Sequence, residues 1–304
     1  MAVSESRDAL LTVRDLVRYG VSRLNAARVA LGHGSDNAWD ESVYLVLHAL
    51  HLPLDTLDPF LEARVLDGER AAVLGLIDRR VAERVPAAYL THEAWLRGRR
   101  FYVDERVIVP RSPIAELLDE GLSPWVADSG AVTRALDMCT GSGCLAILAA
   151  LAFPNAQVDA VDLSPDALAV ARRNVDDYGL QDRLALHHGN LFDSLPIQAY
   201  DVIVCNPPYV NQSSMDALPP EYRHEPGMAL GGGADGMDLV RRILDAAPRY
   251  LAPEGMLVLE IGHEAENFVA AFPQLEPVWL ETALTSDQIM LLTREQLAPS
   301  QLNP

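Results

Sequence analysis

The sequence predicts an α/β protein: a doubly wound, largely parallel sheet, preceded by a small helical domain and joined to it by a β-hairpin. Three observations carry this. From Ala131 onward, short apolar runs of strand type alternate with helical segments, the pattern of a parallel sheet with crossover helices. Residues 8–31 instead space Leu10, Leu11, Val13, Leu16, Val17, Val21 and Leu24 at a near-helical period, closed by Gly32 and Gly34. Between the two, residues 94–109 (AWLRGRRFYVDERVIV) set aromatic and β-branched side chains around Gly98, as a hairpin would.

Each element follows in order. A second helix opens at Asp36 or Asn37 and runs through Tyr44, Leu45 and Leu47. A third spans Glu69 to Arg84 and stops before Pro86. The aliphatic stripes of these helices are read as packing and given no chemistry. Three parts result: a helical domain over 1–92, a hairpin linker over 93–111 and a catalytic-type domain over 112–304. In the last, Ser112 is expected to cap a helix over 112–122 with Pro113 at its first position. Strand 133–138 leads through a glycine loop into helix 143–152. Strand 157–162 leads through Ser164-Pro165 into a helix reaching Asp177. Strands 184–188 and 201–205, helix 236–250, strand 255–261 and β-prone segments 277–283 and 288–293 complete the chain. The longest irregular stretch, 206–235, is rich in Pro and Gly, and a loop of that length in a compact domain is usually functional.

Composition excludes several classes. A chain of 304 residues with 49% hydrophobic content builds substantial cores, and its length fits about two domains. No apolar run approaches the ~20 residues of a membrane span, and the start, MAVSESRDAL, lacks the features of a signal peptide. Cys139, Cys144 and Cys205 are an odd number with no CxxC pair, unlike a disulfide framework or a zinc site. A cytoplasmic protein without a metal is expected. The net charge of −19 is unevenly spread: residues 1–100 hold 13 Arg and 14 acids, residues 101–304 hold 11 Arg and 29 acids. An acidic second half suits a basic protein partner better than a phosphate backbone, and it also serves solubility.

The chemistry concentrates in three motifs. Val202, Ile203 and Val204 form a β-branched run that stops at Asn206-Pro207-Pro208-Tyr209, where two prolines forbid further ladder pairing. Pro207 biases Asn206 toward extended geometry, aiming its amide beyond the strand end, where open α/β sheets bind ligands. The residues admit an active-site tetrapeptide or a proline-stiffened turn. Asp137-Met138-Cys139-Thr140-Gly141-Ser142-Gly143 lies between the first strand of the sheet and its helix. It departs from G-x-G-x-x-G and is not a P-loop, although Gly141 and Gly143 let backbone approach a ligand. Asp162 ends the next strand, 19 positions after Gly143, where a carboxylate can accept both hydroxyls of a ribose. Glycine loop and acid together favour an adenosine-type ligand.

D-M-C-T-G-S-G, V-D-L-S-P and N-P-P-Y in this order resemble a class I S-adenosylmethionine-dependent methyltransferase with a Rossmann-like fold. More narrowly, they resemble the HemK/PrmB family of protein N(5)-glutamine methyltransferases. The resemblance spans roughly Phe101 to Leu297, and the helical N-terminal domain, which it makes a substrate-recognition domain, fits as well. FYVDERVIVPRSPIAEL and LPPEYRHEPGMALGGGADG are closer to the branch acting on large-subunit ribosomal protein three than to the release-factor branch.

That resemblance implies roles. Cys139, Thr140, Gly141, Ser142 and Gly143 would contact the methionine moiety of S-adenosyl-L-methionine, and Asp162 its ribose. Asn190, before Leu191, stands where an acid usually holds the adenine amino group; its side-chain oxygen still accepts that hydrogen bond. Phe101 would lie near the methyl group. Asn206, with Pro207, Pro208 and Tyr209, would clamp the acceptor amide beside the cofactor. His224 and Glu225 in the loop, read as residues, admit an acid/base pair or substrate contacts, and contacts are the reading favoured. The expected reaction transfers a methyl group to a glutamine amide of a basic ribosomal protein, leaving S-adenosyl-L-homocysteine. Rival readings are a release-factor enzyme, an NPPY-type RNA or DNA amino-methyltransferase, and a non-catalytic binding protein that retains the cofactor fold.

Overall fold

The computed structural model describes residues 7–298 and divides into two compact units. One takes the chain up to Glu93 together with Pro219–His224; the other takes Ala94–Leu218 and Glu225 onward.

In the first unit, α1 (Val13–Ala27) starts at a reciprocal capping box. The Thr12 hydroxyl accepts from Asp15 N, and the Asp15 carboxylate accepts from Thr12 N. It ends short of Gly32 because Arg28 turns left-handed, at φ 49°. The long apolar run over 8–31 is thus trimmed at both ends by local chemistry. Asn37 caps α2 (Ala38–Ala49) by accepting from Asp40 N at 2.9 Å. Next come α3 (Asp67–Ala82) and a short α4 (Ala87–Thr91) behind Pro86 that no periodicity announced. Leu16, Val17, Val46, Val73 and Ile77 interlock as the core of this unit.

A buried charge cluster sits against that core. Arg80 is fully buried and donates to Glu41 Oε1 at 2.7 Å and to the Ala30 carbonyl at 2.8 Å. Its other arm is 3.6 Å from Glu221, which also accepts from Ala30 N at 3.0 Å and Arg84 at 3.2 Å. Burial pushes the Glu41 carboxyl up despite the adjacent guanidinium. Burial would raise Glu221 too, but its hydrogen bonds to backbone and Arg84 outweigh that and hold it low.

The second unit opens with the hairpin of β1 (Glu93–Leu96) and β2 (Arg99–Tyr102), whose turn residues Arg97 and Gly98 both have positive φ. The pairing ends at Tyr102, so the hairpin is shorter than the apolar pattern suggests. The helix expected over 112–122 contracts to α5 (Ile114–Asp119). Ser112 Oγ accepts from Ile114 N at 3.2 Å, close to the capping role expected. The alternating part contains β3 (Arg134–Met138), α6 (Cys144–Ala152), β4 (Gln157–Asp162), α7 (Pro165–Asp177) and β5 (Leu184–His188). After β6 (Tyr200–Cys205) come α8 (Gln212–Ala217), α9 (Asp238–Ala246), β7 (Leu251–Glu260), α10 (Ala265–Ala271), β8 (Val278–Leu280) and β9 (Ile289–Thr293). Pro248 converts the end of the predicted 236–250 helix into a separate 3₁₀ turn.

Seven strands form one sheet in the order β5-β4-β3-β6-β7-β9-β8. Neighbours pair in parallel from β5 to β7, and β9 runs antiparallel to both β7 and β8. This is the doubly wound class I methyltransferase arrangement the sequence predicts. Strand side chains alternate between two cores, as a sheet covered on both faces requires. Ala135, Val202, Val204 and Val258 join the cluster with α5 and α6, whereas Leu136, Ile203, Leu257 and Leu259 join the one with α9 and α10. Among the described residues, no helix is long and apolar enough to cross a membrane.

The charge cluster generates a stability prediction. Arg80→Leu leaves the buried Glu41 without its cation, while Glu221 keeps Arg84, so the folded state should lose about 3–5 kcal/mol. Adding Glu41→Leu should recover part of that loss. Urea unfolding of both variants measures it, and equal midpoints for wild type and Arg80→Leu would show the cluster to be energetically idle.

Candidate active site

The β-strand ends converge because β4, β3, β6 and β7 run parallel and stop at one edge of the sheet. At the end of β3 the chain makes a tight turn in which Cys139, Gly141 and Gly143 all have positive φ. The turn is braced from below. Asp137 is fully buried, and its Oδ2 accepts from Thr140 Oγ1 at 2.5 Å and from Ala146 N at 2.9 Å. Its Oδ1 has no hydrogen-bond partner, and burial pushes the carboxyl up to about 7. Gly143 suits its place, since its φ is 80° and a Cβ there would lie 3.2 Å from the Ala171 methyl on α7.

Asp162, last residue of β4, reaches back to this turn. Its Oδ2 accepts from Gly141 N at 2.8 Å and its Oδ1 from Ser164 N at 2.8 Å. Burial raises this carboxyl as well, against the pull of those N–H groups. Each oxygen keeps acceptor capacity, because a carboxylate offers about four lone-pair sites. Ser164 caps α7 by accepting from Ala167 N at 3.1 Å, which leaves Asp162 to the cleft.

Asn206 follows the last residue of β6, where the prolines end the ladder. Tyr209 turns toward the end of β7: its hydroxyl donates to Glu260 Oε1 at 3.0 Å. A Cβ on Gly262 would come 2.4 Å from the tyrosine ring, so glycine is required there for the ring to lie as it does.

Above these strand ends lies a cleft open to solvent on one side. Its lining falls wholly in the second unit and joins seven predicted residues: Cys139, Gly141, Asp162, Asn190, Leu191, Asn206 and Pro208. Thr140, Ser142, Gly143, Pro207 and Tyr209 lie outside that lining, in the turns that shape it. Phe101 is not brought to the cleft. It is fully buried in the core, its ring 5.5 Å from Tyr178, because the short hairpin turns it inward toward α7. His224 and Glu225 are not poised for a ligand either. His224 meets the Glu83 carbonyl at 2.9 Å. Glu225 is buried and takes both Arg111 nitrogens, at 2.6 and 2.8 Å, plus Val109 N at 2.9 Å.

Sequence reasoning missed part of the wall. Arg106, Val107 and Ile108, just beyond the hairpin, line the cleft with Pro226, Met228 and Ala229 from the long loop. Arg106 is oriented by Asp104, which accepts from its Nε at 2.8 Å and its Nη2 at 2.6 Å. Only the length of the 206–235 loop hinted at the second group.

Comparison with known proteins places the chain in a family. The Methyltransferase small domain family matches residues 119–218. A protein of Bordetella pertussis is 78% identical over 294 residues, covering 97% of this chain and 99% of that one. One of Burkholderia pseudomallei is 64% identical, covering 94% and 95%, and one of Neisseria gonorrhoeae is 54% identical, covering 97% and 98%. All three are named ribosomal protein uL3 glutamine methyltransferase. On identities of this size over nearly the whole length of each chain, the protein belongs to the family of ribosomal protein uL3 glutamine methyltransferases.

Proposed function

We propose that this protein methylates the side-chain amide nitrogen of a glutamine in ribosomal protein uL3, with S-adenosyl-L-methionine as donor. The observation that carries the reading is that Asn206 and Asp162 share one cleft at the carboxyl edge of the sheet. A ribosomal substrate also favours a cytoplasmic location.

The residues present fit that cofactor. Asp162 suits a ribose, and the Asn190 side-chain oxygen suits an adenine amino group. Cys139 and Gly141 flank the place for a methionine moiety. When bound, the sulfonium supplies an electrophilic methyl carbon with a good leaving group already attached.

What remains for the protein is largely positioning. An amide nitrogen is a weak nucleophile because its lone pair is delocalised into the carbonyl. Asn206 Oδ1 and the Pro207 carbonyl are suited to accept its two N–H groups, which aims the nitrogen and stabilises the positive charge that develops on it. Pro207 and Pro208 hold those acceptors rigid, and Tyr209 covers the planar amide against water. The extra proton departs after transfer, so no general base is required beforehand. The helical unit is assigned to substrate recognition on family resemblance.

Three outcomes are expected. Asp162→Ala should weaken S-adenosylhomocysteine binding by about 1–3 kcal/mol, the cost of hydroxyls left without an acceptor; unchanged affinity by calorimetry would remove Asp162 from the site. Asn206→Ala should bind cofactor nearly normally yet turn over roughly 100-fold more slowly or worse, as loss of one preorganised dipole does. Near-wild-type transfer of labelled methyl would sink the amide clamp.

The third outcome concerns the substrate. Residues 101–304 carry 29 acids against 11 arginines, so free uL3, if basic as ribosomal proteins are, should be drawn in at long range. Ribosomal RNA in the finished large subunit should repel. Free uL3 should therefore be methylated faster than the assembled subunit, with kcat/KM falling as salt rises. Equal, salt-insensitive rates would refute electrostatic selection.

A further inference from the structure

Glu260 is the last residue of β7, and nothing in the proposed mechanism uses it directly. The register pairs Cys205 with Leu259, so the next positions along the two strands are Asn206 and Glu260. The carboxylate is buried and bridges two segments. Its Oε1 accepts from the Tyr209 hydroxyl at 3.0 Å, and its Oε2 accepts from Ser112 Oγ. Ser112 in turn accepts from Ile114 N, which ties the bridge to the start of α5. Tyr209 is thus held at its hydroxyl by Glu260, while its ring edge rests where Gly262 leaves room.

We propose that Glu260 is a positioning residue for methyl transfer, fixing the Tyr209 ring over the acceptor amide through the tyrosine hydroxyl. This rests on the glutamine reading above. A tyrosine on a proline-stiffened turn still rotates about its own side-chain bonds. An acceptor at the far end of the ring removes that freedom, and small losses of alignment cost rate steeply.

A carboxylate is needed for both bonds at once, because it offers only acceptors to two hydroxyl donors. Once protonated it must itself donate to one of the hydroxyls, so that contact reverses and both lose the strength a charged acceptor gives them. Burial pushes this carboxyl up to about 7, with Ser112, Tyr209 and Arg111 opposing the rise. The other groups facing it are few. Cys205 lies on β6 beside it, Glu225 meets it only through Arg111, and its register partner on β9 is the apolar Ile289. Protonation as pH falls through about 7 should therefore loosen Tyr209 and slow turnover.

The test is a double-mutant cycle on methyl transfer to purified uL3, with Glu260→Leu, Glu260→Gln, Tyr209→Phe and the combined Tyr209→Phe/Glu260→Leu. Expected for Glu260→Leu is a kcat lower by on the order of 10- to 100-fold, with S-adenosylhomocysteine affinity within about twofold of wild type if the effect is confined to positioning. Glu260→Gln keeps an oxygen acceptor for Tyr209 without a titrating charge. It should recover part of the rate and flatten the acidic limb of the kcat profile between pH 6 and 8. Asp137, which also titrates in that range, is common to both proteins, so the difference between their profiles isolates Glu260. The combined variant should be no slower than the slower single variant. Multiplicative losses, or a wild-type pH limb retained in Glu260→Gln, would overturn the role of Glu260 alone. A wild-type enzyme that leaves uL3 unmethylated would overturn the glutamine reading and this inference with it.

Discussion

The placement of β6 between β3 and β7 is the constraint on which the site depends. Val202, Ile203, Val204 and Cys205 are buried and make parallel ladders on both sides. A one-residue slip would turn Val202 and Val204 toward the core that Ile203 and Cys205 now fill. Register is therefore strongly fixed, and with it the height at which the chain leaves the sheet. The β3 turn and the Asn206 tetrapeptide emerge from flanking strands because their strands are neighbours. Glu260 is level with Asn206 for the same reason. No loop has to search for this geometry; hydrophobic packing several residues below sets it.

Polar groups beneath the site do a second kind of work. Asp137 holds Thr140 and the start of α6, Asp162 holds Gly141 and Ser164, and Glu225 holds Arg111 and Val109. In each case one carboxylate joins two backbone segments that would otherwise move independently. The desolvation this entails appears in the raised carboxyls of Asp137 and Asp162. A well-shaped cleft here is bought with buried acids.

Much of this was legible in the sequence, and the failures have physical causes. The strands of the parallel sheet and α7 are set by local signals: unbroken apolar runs, a Ser-Pro helix start, prolines at a strand end. Asp162 and Asn206 were readable because each sits at or just past a strand end, where topology aims it at the cleft, whereas Asn190, two residues beyond β5, was readable only through the family resemblance. Phe101 was not, because which way a hairpin residue faces depends on the packing of Tyr178 against it. Glu225 depends on the long-range partners Arg111 and Val109, and nothing in periodicity separates Arg106, a loop arginine lining a cleft, from one in solvent. The ends of α1 were misjudged because capping at Thr12 and the left-handed Arg28 overrode the apolar pattern.

The segment Pro219–His224 belongs to the helical unit, although the chain on either side of it belongs to the other. Glu221 within it shares its partners with Arg80, Arg84 and Ala30. The polypeptide therefore passes between the units three times rather than once, and the two cannot be separated by a single cut near Glu93. Removing the first ninety residues would leave Glu221 with neither guanidinium, in the middle of the loop that begins at Asn206. Folding modules and the linear domains of the sequence do not coincide here. A change in the helical part that disturbs Arg80 or Arg84 is thereby felt, through one short inserted stretch, in the loop that follows Asn206.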